Sequence, residues 1–167
     1  MRYRLFSAGE AGDPTYVNLR DLKNEWTDPV RAFAESLWDR FRRLADPHFL
    51  TEIRRNFHSR FWEMYLTCAL QDFASQQGLV LSCPKPGPDI LLERDGRRLW
   101  VEAVAATDGI PGRLDSVVEP NPDGSGRIPE EKIVLRYANA ISEKYNLGDH
   151  PKAAIGYHFK SGHRETA

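Results

Sequence analysis

The sequence predicts a mixed α/β fold in which a central sheet is flanked by helices. Two patterns of hydrophobic spacing carry this prediction. Between residues 29 and 76, apolar side chains recur three and four positions apart, as they do on one face of a helix. Between residues 79 and 106 they form short runs separated by turn residues, which is typical of strands. The length of 167 residues is normal for one domain and sufficient to bury a core without disulfides.

The helices are expected in the first half of the chain. Asp28 followed by Pro29 predicts a helix start, with Asp28 as the N-cap. Before it, only RYRLF suggests a short strand, and the rest of that segment is predicted to be loop. The predicted helix at residues 57–76 is apolar over most of its circumference, so we expect it to be buried. The predicted helices span residues 29–44, 48–55 and 57–76.

The strands follow, and Asp95-Gly96 between two apolar runs predicts a hairpin turn. A crossover helix before a fourth strand predicts a mixed sheet. Strands are predicted at residues 79–81, 90–92, 99–106 and 153–159, with a loop at 107–128 and a helix from Pro129 to near Gly148. The chain is thereby divided into an N-terminal helical extension (1–56), an α/β core (57–160) and a tail (161–167).

Composition excludes several classes of protein. With 41% hydrophobic and 28% charged residues, the chain is not of the disordered class. No apolar run approaches the ~20 residues of a membrane span, and MRYRLFSAGEAGD has no apolar signal region. We therefore expect a cytoplasmic protein without membrane contact. Cys68 and Cys83 lack metal-site spacing and are interpreted as reduced, buried thiols.

The net charge of −1 lacks the basic surplus of a non-specific nucleic-acid binder, so any nucleic-acid contact has to be local. The densest group of basic residues is interrupted by acidic ones, and we interpret it as a solvated helix face. Its members are Arg40, Arg42, Arg43, Arg54, Arg55 and Arg60.

Two carboxylates stand out in the predicted hairpin. Asp89 begins one strand, and Glu102 lies within LWVEAVAA, the apolar return strand. A buried carboxylate has to be paired or bound to metal. Carboxylates on adjacent strands can share a divalent cation through oxygen ligands, as Mg²⁺ prefers. The alternative is that Glu102 points to solvent from an edge strand, although Trp100 and Val104 on its face are apolar.

Glu63 is a third acidic candidate, because it interrupts the mostly apolar helix 57–76. One interpretation places it on a narrow solvent-facing seam of that helix. The other directs it toward a partner group in the protein. The helix alone favours the first interpretation, and the second gains weight from the neighbouring candidates.

Three blocks together resemble the PD-(D/E)XK superfamily, which has the restriction endonuclease-like fold, and more narrowly a group of bacterial proteins. The blocks are FWEMYL, PKPGPDILLERDGRRLWVEAVA and IPEEKIVLRYANAISEKY, within residues 57–145. The resemblance implies that Glu63, Asp89 and Glu102 bind Mg²⁺, or Mn²⁺ in its place. It further implies that the metal and a lysine activate water for hydrolysis of phosphodiester bonds.

The chain departs from this family at one position. The family lysine, two residues after the glutamate, is replaced by Val104. That lysine stabilises charge on the attacking hydroxide and the transition state. Lys132 and Arg136, four residues apart on one predicted helix face, are candidate substitutes, and so is Lys85 close to Asp89.

The resemblance predicts a metal-dependent nuclease with Asp89, Glu102 and a lysine, Lys132 or Lys85, as catalytic residues. Its partner would be nucleic acid, with DNA and RNA equally open. The alternative is a catalytically inactive relative that keeps the fold as a binding or regulatory module. Val104 and the near-neutral charge favour the alternative, whereas the carboxylates within an apolar strand favour the enzyme.

Overall fold

The computed structural model describes residues 4–85, 87–117 and 129–145, with side chains up to residue 141. The chain divides into two compact units, Met1–Ala103 and Val104–Ala167. In the described part of the first unit, helices precede a small sheet. They are α1 (Pro14–Asp21), α2 (Thr27–Phe41), α3 (Phe49–Glu52) and α4 (Phe57–Gln77). The strands are β1 (Val80–Ser82), β2 (Ile90–Arg94) and β3 (Arg97–Val101).

Helix α1 lies where the sequence predicted a loop. Asp13 is its N-cap and accepts a hydrogen bond from the Tyr16 amide at 3.0 Å, and Pro14 occupies the first turn. The other Asp13 oxygen accepts from the Phe57 amide at 2.9 Å, so the same carboxylate ties α1 to the start of α4. The Asp-Pro pair at residues 13–14 thus begins a helix with the aspartate as N-cap, which is the arrangement that the sequence predicted at residues 28–29.

The strand predicted at RYRLF is wrong for its described residues, Arg4–Phe6, which form no regular structure. The amides of Leu5 and Phe6 each donate to the Glu35 carboxylate at 3.1 Å. The Glu35 side chain, on α2, therefore accepts the hydrogen bonds that these two amides would donate to a neighbouring strand.

Helix α2 begins earlier than predicted. Trp26 is the N-cap residue, and Asp28 lies in the first turn and pairs with Arg31. The Asn24 side chain accepts from the amides of Trp26 and Thr27 at 3.0 and 2.9 Å. The prediction of Asp28 as N-cap is thus wrong, because Asn24 binds the first amides of the helix instead.

The hydrophobic core of the first unit is made by the helices and the N-terminal segment. Trp38 stacks on Phe49 with ring centroids 5.5 Å apart, and Phe41 packs on Phe49 at 4.9 Å. The core consists of Leu5, Phe6, Tyr16, Leu19, Ala34, Leu37, Trp38, Phe41, Phe49, Ile53, Phe57, Met64 and Cys68. The segment predicted as an extension therefore supplies most of this core.

Only one side of α4 is buried. Met64 and Cys68 face the core, whereas Trp62, Tyr65 and Phe73 are 39, 41 and 50% exposed. The expectation that the whole helix is buried is therefore wrong, because large apolar side chains on its other side are exposed to solvent. The helix ends at Gly78, which adopts the left-handed conformation (φ 67°) that favours glycine.

The described sheet is antiparallel with strand order β1-β2-β3. The hairpin turn forms at Asp95-Gly96, both with positive φ (51° and 76°), as predicted from sequence. The return strand pairs only as far as Val101, opposite Ile90, so the prediction that it continues to residue 106 is wrong. The predicted strand 153–159 and the tail lie outside the described residues.

The second unit contains α5 (Glu130–Tyr145) and an irregular segment, residues 104–117, among its described residues. Asp115 is buried there and binds Arg136 at 3.2 Å and Asn139 at 3.0 Å. These hydrogen bonds lower the pKa of Asp115, with the Asn139 contact the largest cause. The same arginine donates to the Thr107 carbonyl at 2.9 Å, so α5 holds the irregular segment at two points.

Within the described residues, no helix has the length and apolar character needed to cross a membrane.

The Tyr16 side chain allows a direct test of how the N-terminal segment contributes to the core. Its buried hydroxyl donates to the Leu5 carbonyl at 3.0 Å and accepts from the Ser7 amide at 3.1 Å. Tyr16→Phe should destabilise the protein by about 1–3 kcal/mol, because two backbone groups lose their partner. Urea unfolding measures the change. Tyr137→Phe, at an exposed position of α5, is the control, and an equal loss in both variants would contradict the assignment.

Candidate carboxylate–lysine site

Glu63 lies on the covered side of α4 and is only 7% exposed. Its Oε2 atom accepts a hydrogen bond from Arg60, one turn earlier, at 2.6 Å. Its Oε1 atom lies 4.0 Å from the Lys85 ammonium nitrogen. Of the two interpretations of this residue, the structure therefore supports a carboxylate directed at partner groups over one on a solvent-facing seam.

Lys85 and Asp89 lie on the segment between β1 and β2. The Lys85 Nζ atom is 3.9 Å from Asp89 Oδ1, while Asp89 Oδ2 accepts from the Ala103 amide at 2.9 Å. One ammonium thus contacts two carboxylates, one from α4 and one from the residue that precedes β2. We call Glu63, Lys85 and Asp89 the carboxylate–lysine cluster.

Glu102 directly follows β3 and lies outside it, which corrects the prediction that it is within the strand. Ile90 and Val101 form the last pair of the β2–β3 ladder, so Asp89 directly precedes one strand end and Glu102 directly follows the other. The Oε2 atom of Glu102 is buried, which argues against the alternative of a side chain pointing to solvent.

The electrostatics of the cluster are set by burial. Burial raises the pKa of Glu63, and the nearby Asp89 raises it further, while Arg60 and Lys85 lower it. Burial also raises the pKa of the neighbouring Cys83 thiol to about 11, against a lowering effect of Lys85. The thiol is therefore protonated near neutral pH, and the ionisable oxygen atoms are the available anionic donors at this site.

The donor chemistry suits Mg²⁺ or Mn²⁺, since both favour carboxylate oxygens. Glu63 and Asp89 converge on Lys85, and Glu102 follows Val101, the partner of Ile90 in the last pair of the ladder. In the part of the chain that the structure describes, no set of three or more His, Cys, Asp or Glu side chains is already arranged around a common metal position. A cation would therefore need these carboxylates to draw closer than they lie here.

The candidate bases differ in their surroundings. Lys85 contacts two of the predicted ligands. Lys132 is exposed on α5, in the second unit. Arg136 is held by Asp115 and Thr107, so its guanidinium is already used to fix the irregular segment.

Arg60 was predicted only as a member of a basic helix face, but it is a hub of ion pairs. It contacts Asp46 at 3.5 Å, Glu52 and Glu63, and its guanidinium lies 5.9 Å from the Phe49 ring centroid. The spacing of Arg60 and Glu63, three residues apart on a helix, was the available sequence signal. Arg40 likewise pairs with Asp72 at 2.6 Å, so at least two members of this group of arginines are paired with acids.

Comparison of the chain with protein-family models, curated proteins and solved structures gave no match. The resemblance to the PD-(D/E)XK superfamily thus depends on the three sequence blocks, and the function it implies is a proposal.

The raised pKa of Glu63 predicts how stability depends on pH. The folded state favours the protonated carboxyl more than the unfolded chain does, so this contribution to stability is complete below the ordinary pKa of 4.5. It is lost as the pH rises through the folded-state pKa. The free energy of unfolding of the wild type, relative to Glu63→Gln, should therefore fall as the pH rises above 4.5.

Urea unfolding at a series of pH values measures this difference. Glu25→Gln, which removes one exposed carboxylate from the same unit, is the matched control. If the free energy of unfolding of the wild type rose with pH relative to Glu63→Gln, the effect of Arg60 and Lys85 on the pKa of Glu63 would outweigh that of burial.

Proposed function

We propose that the protein is a metal-dependent nuclease that hydrolyses phosphodiester bonds of nucleic acid. The observation that carries the proposal is the position of Lys85, within 4.0 Å of carboxylates from two different elements. The family activity requires a lysine beside paired acids, and Val104 occupies the position where the family has that lysine. Lys85 supplies that combination from a neighbouring segment.

Glu63, Asp89 and Glu102 would hold Mg²⁺ or Mn²⁺ through oxygen atoms. The ion would polarise a phosphoryl oxygen and lower the pKa of a bound water. Asp89 is oriented for this role by the Ala103 amide, which binds one of its oxygens and leaves the other toward Lys85. Arg60 orients Glu63 in the same way.

Lys85 would stabilise negative charge on the attacking oxygen and the phosphoryl group as it develops. Its side chain is partly solvent-exposed, so a substrate phosphate can reach the ammonium. Lys132 is the second candidate for this role, whereas Lys85 lies within 4.0 Å of both Glu63 and Asp89. For that reason we assign the role to Lys85.

The alternative function is that of an inactive relative that binds without cleaving. It is favoured by the charge balance of the site: Lys85 and Arg60 already neutralise Glu63, as they would in a purely structural ion-pair network. Such networks persist because a buried carboxylate that loses its partner is strongly destabilising.

Lys85→Met tests the proposed role of the ammonium. Cleavage of plasmid DNA and of single-stranded DNA and RNA with Mg²⁺ or Mn²⁺ should fall by a factor of about 100 or more, because a charge-stabilising group is lost. Metal affinity, measured by calorimetry, should stay the same or increase, since a competing cation has been removed. Asp89→Asn should instead weaken metal binding, because an anionic ligand is lost.

Lys132→Met is the matched control and should keep the wild-type rate. Loss of cleavage in Lys132→Met, with wild-type rates in Lys85→Met, would transfer the role to Lys132. Absence of cleavage by the wild type, in all substrates and with both metals, would favour the inactive relative.

Val104→Lys restores the family pattern and separates the two functions. In a nuclease that uses Lys85, the added ammonium should give little or no increase in rate. In an inactive relative with intact metal ligands it should create activity. Cleavage assays of both proteins with Mg²⁺ measure this, and activity found only in Val104→Lys would overturn the proposed function.

A further inference from the structure

A groove of about 220 Å³ lies at the turn end of the β2–β3 hairpin, where the hairpin meets the end of α4. Its apolar walls are Phe73, Leu79, Leu92 and Leu99. Leu92 and Leu99 are directly paired across the strands, so they present one continuous apolar surface. Leu92 is buried, whereas Phe73 and Leu99 are 50 and 59% exposed and form the accessible part of the groove.

The other residues that line this groove are Arg94, Arg97 and Arg98, and none of the lining residues is acidic. Arg94 donates to the Gln77 carbonyl at 2.9 Å, which fixes it against the end of α4, and its Nε atom lies 3.7 Å from the Asp95 carboxylate. Arg98 pairs with Glu93 at 2.9 Å. Among the described residues Arg97 makes no ion pair, so its charge is available to a ligand.

Apolar walls, a half-exposed aromatic ring and Arg97, which makes no ion pair among the described residues, are complementary to a ligand that is both flat and anionic. Arginine binds phosphate oxygens through two parallel hydrogen bonds. An aromatic side chain stacks on any nucleobase that is not already stacked in a duplex. An acidic peptide would satisfy the arginines but would leave the ring and the leucines without a planar partner.

We propose that this groove binds single-stranded nucleic acid, with a base against Phe73 and Leu99 and a phosphate at Arg97. The proposal rests on the proposed function, since the same hairpin carries Asp89 at its opposite end. The strand between the two ends has five residues, a span of roughly 16 Å at ~3.3 Å per residue. A strand held in the groove would thus be anchored several nucleotides from the carboxylate–lysine cluster.

Binding is measured by fluorescence anisotropy of a labelled oligothymidylate, with EDTA present so that no cleavage occurs. Phe73→Leu should weaken binding at least about fivefold, because base stacking on an aromatic ring is lost. Arg97→Gln should weaken binding and reduce the slope of log K against log salt by about 0.7, the value for one phosphate contact to a single strand. Circular dichroism checks that both variants are folded.

Arg55→Gln is the matched control, because it removes one exposed guanidinium from the turn between α3 and α4 in the same unit. It should leave affinity and salt slope unchanged. Equal affinity of the wild type, Phe73→Leu and Arg97→Gln would overturn the proposal. Competition by polyglutamate as strong as by unlabelled oligothymidylate, or tighter binding of a blunt duplex, would overturn it as well.

Failure of the groove proposal can be distinguished from failure of the proposed nuclease function. Binding that depends on Phe73 and Arg97, in a protein that never cleaves, supports the groove and rejects the nuclease. Cleavage that depends on Lys85, with a binding affinity insensitive to Phe73 and Arg97, supports the nuclease and rejects the groove.

Discussion

The burial of carboxylate charge between α4 and the start of β2 is the constraint on which this site depends. Glu63 is almost fully covered and Asp89 is close to it, an arrangement that is costly unless cations neutralise both. Lys85 and Arg60 provide that neutralisation. The segment between β1 and β2 is consequently held against α4 by ionic contacts beside the apolar packing of the core.

Near the N-terminus, carboxylates are also held by hydrogen-bond donors, and there the donors are backbone amides. Asp13 serves the first turn of α1 and the start of α4, and Glu35 binds two amides of the N-terminal segment. Each carboxylate links parts of the chain that are distant in sequence. The first unit is thus held together by a compact aromatic core and by acids that replace missing backbone partners.

Local signals in the sequence predicted the helix ending at Gly78 and the hairpin turn at Asp95-Gly96, because each depends on conformations that few residues adopt. The end of β3 was missed because apolar residues continue past Val101 while backbone pairing stops there. The sequence nominated Glu63, Asp89 and Glu102 together with three candidate bases. It could not rank those bases, since the contact of Lys85 with Glu63 joins α4 to a loop over a long sequence separation.

Helix α4 carries core and site on neighbouring residues: Met64 is fully buried among the aromatic side chains, and Glu63 contacts Lys85. Any ligand that binds Glu63 only in the folded protein must therefore also stabilise the helical core, by thermodynamic linkage. The melting temperature of the first unit should thus rise when a ligand binds at Glu63, and this rise reports binding. A panel of cations or oligonucleotides can be ranked by melting temperature alone, before a substrate or a reaction product has been identified.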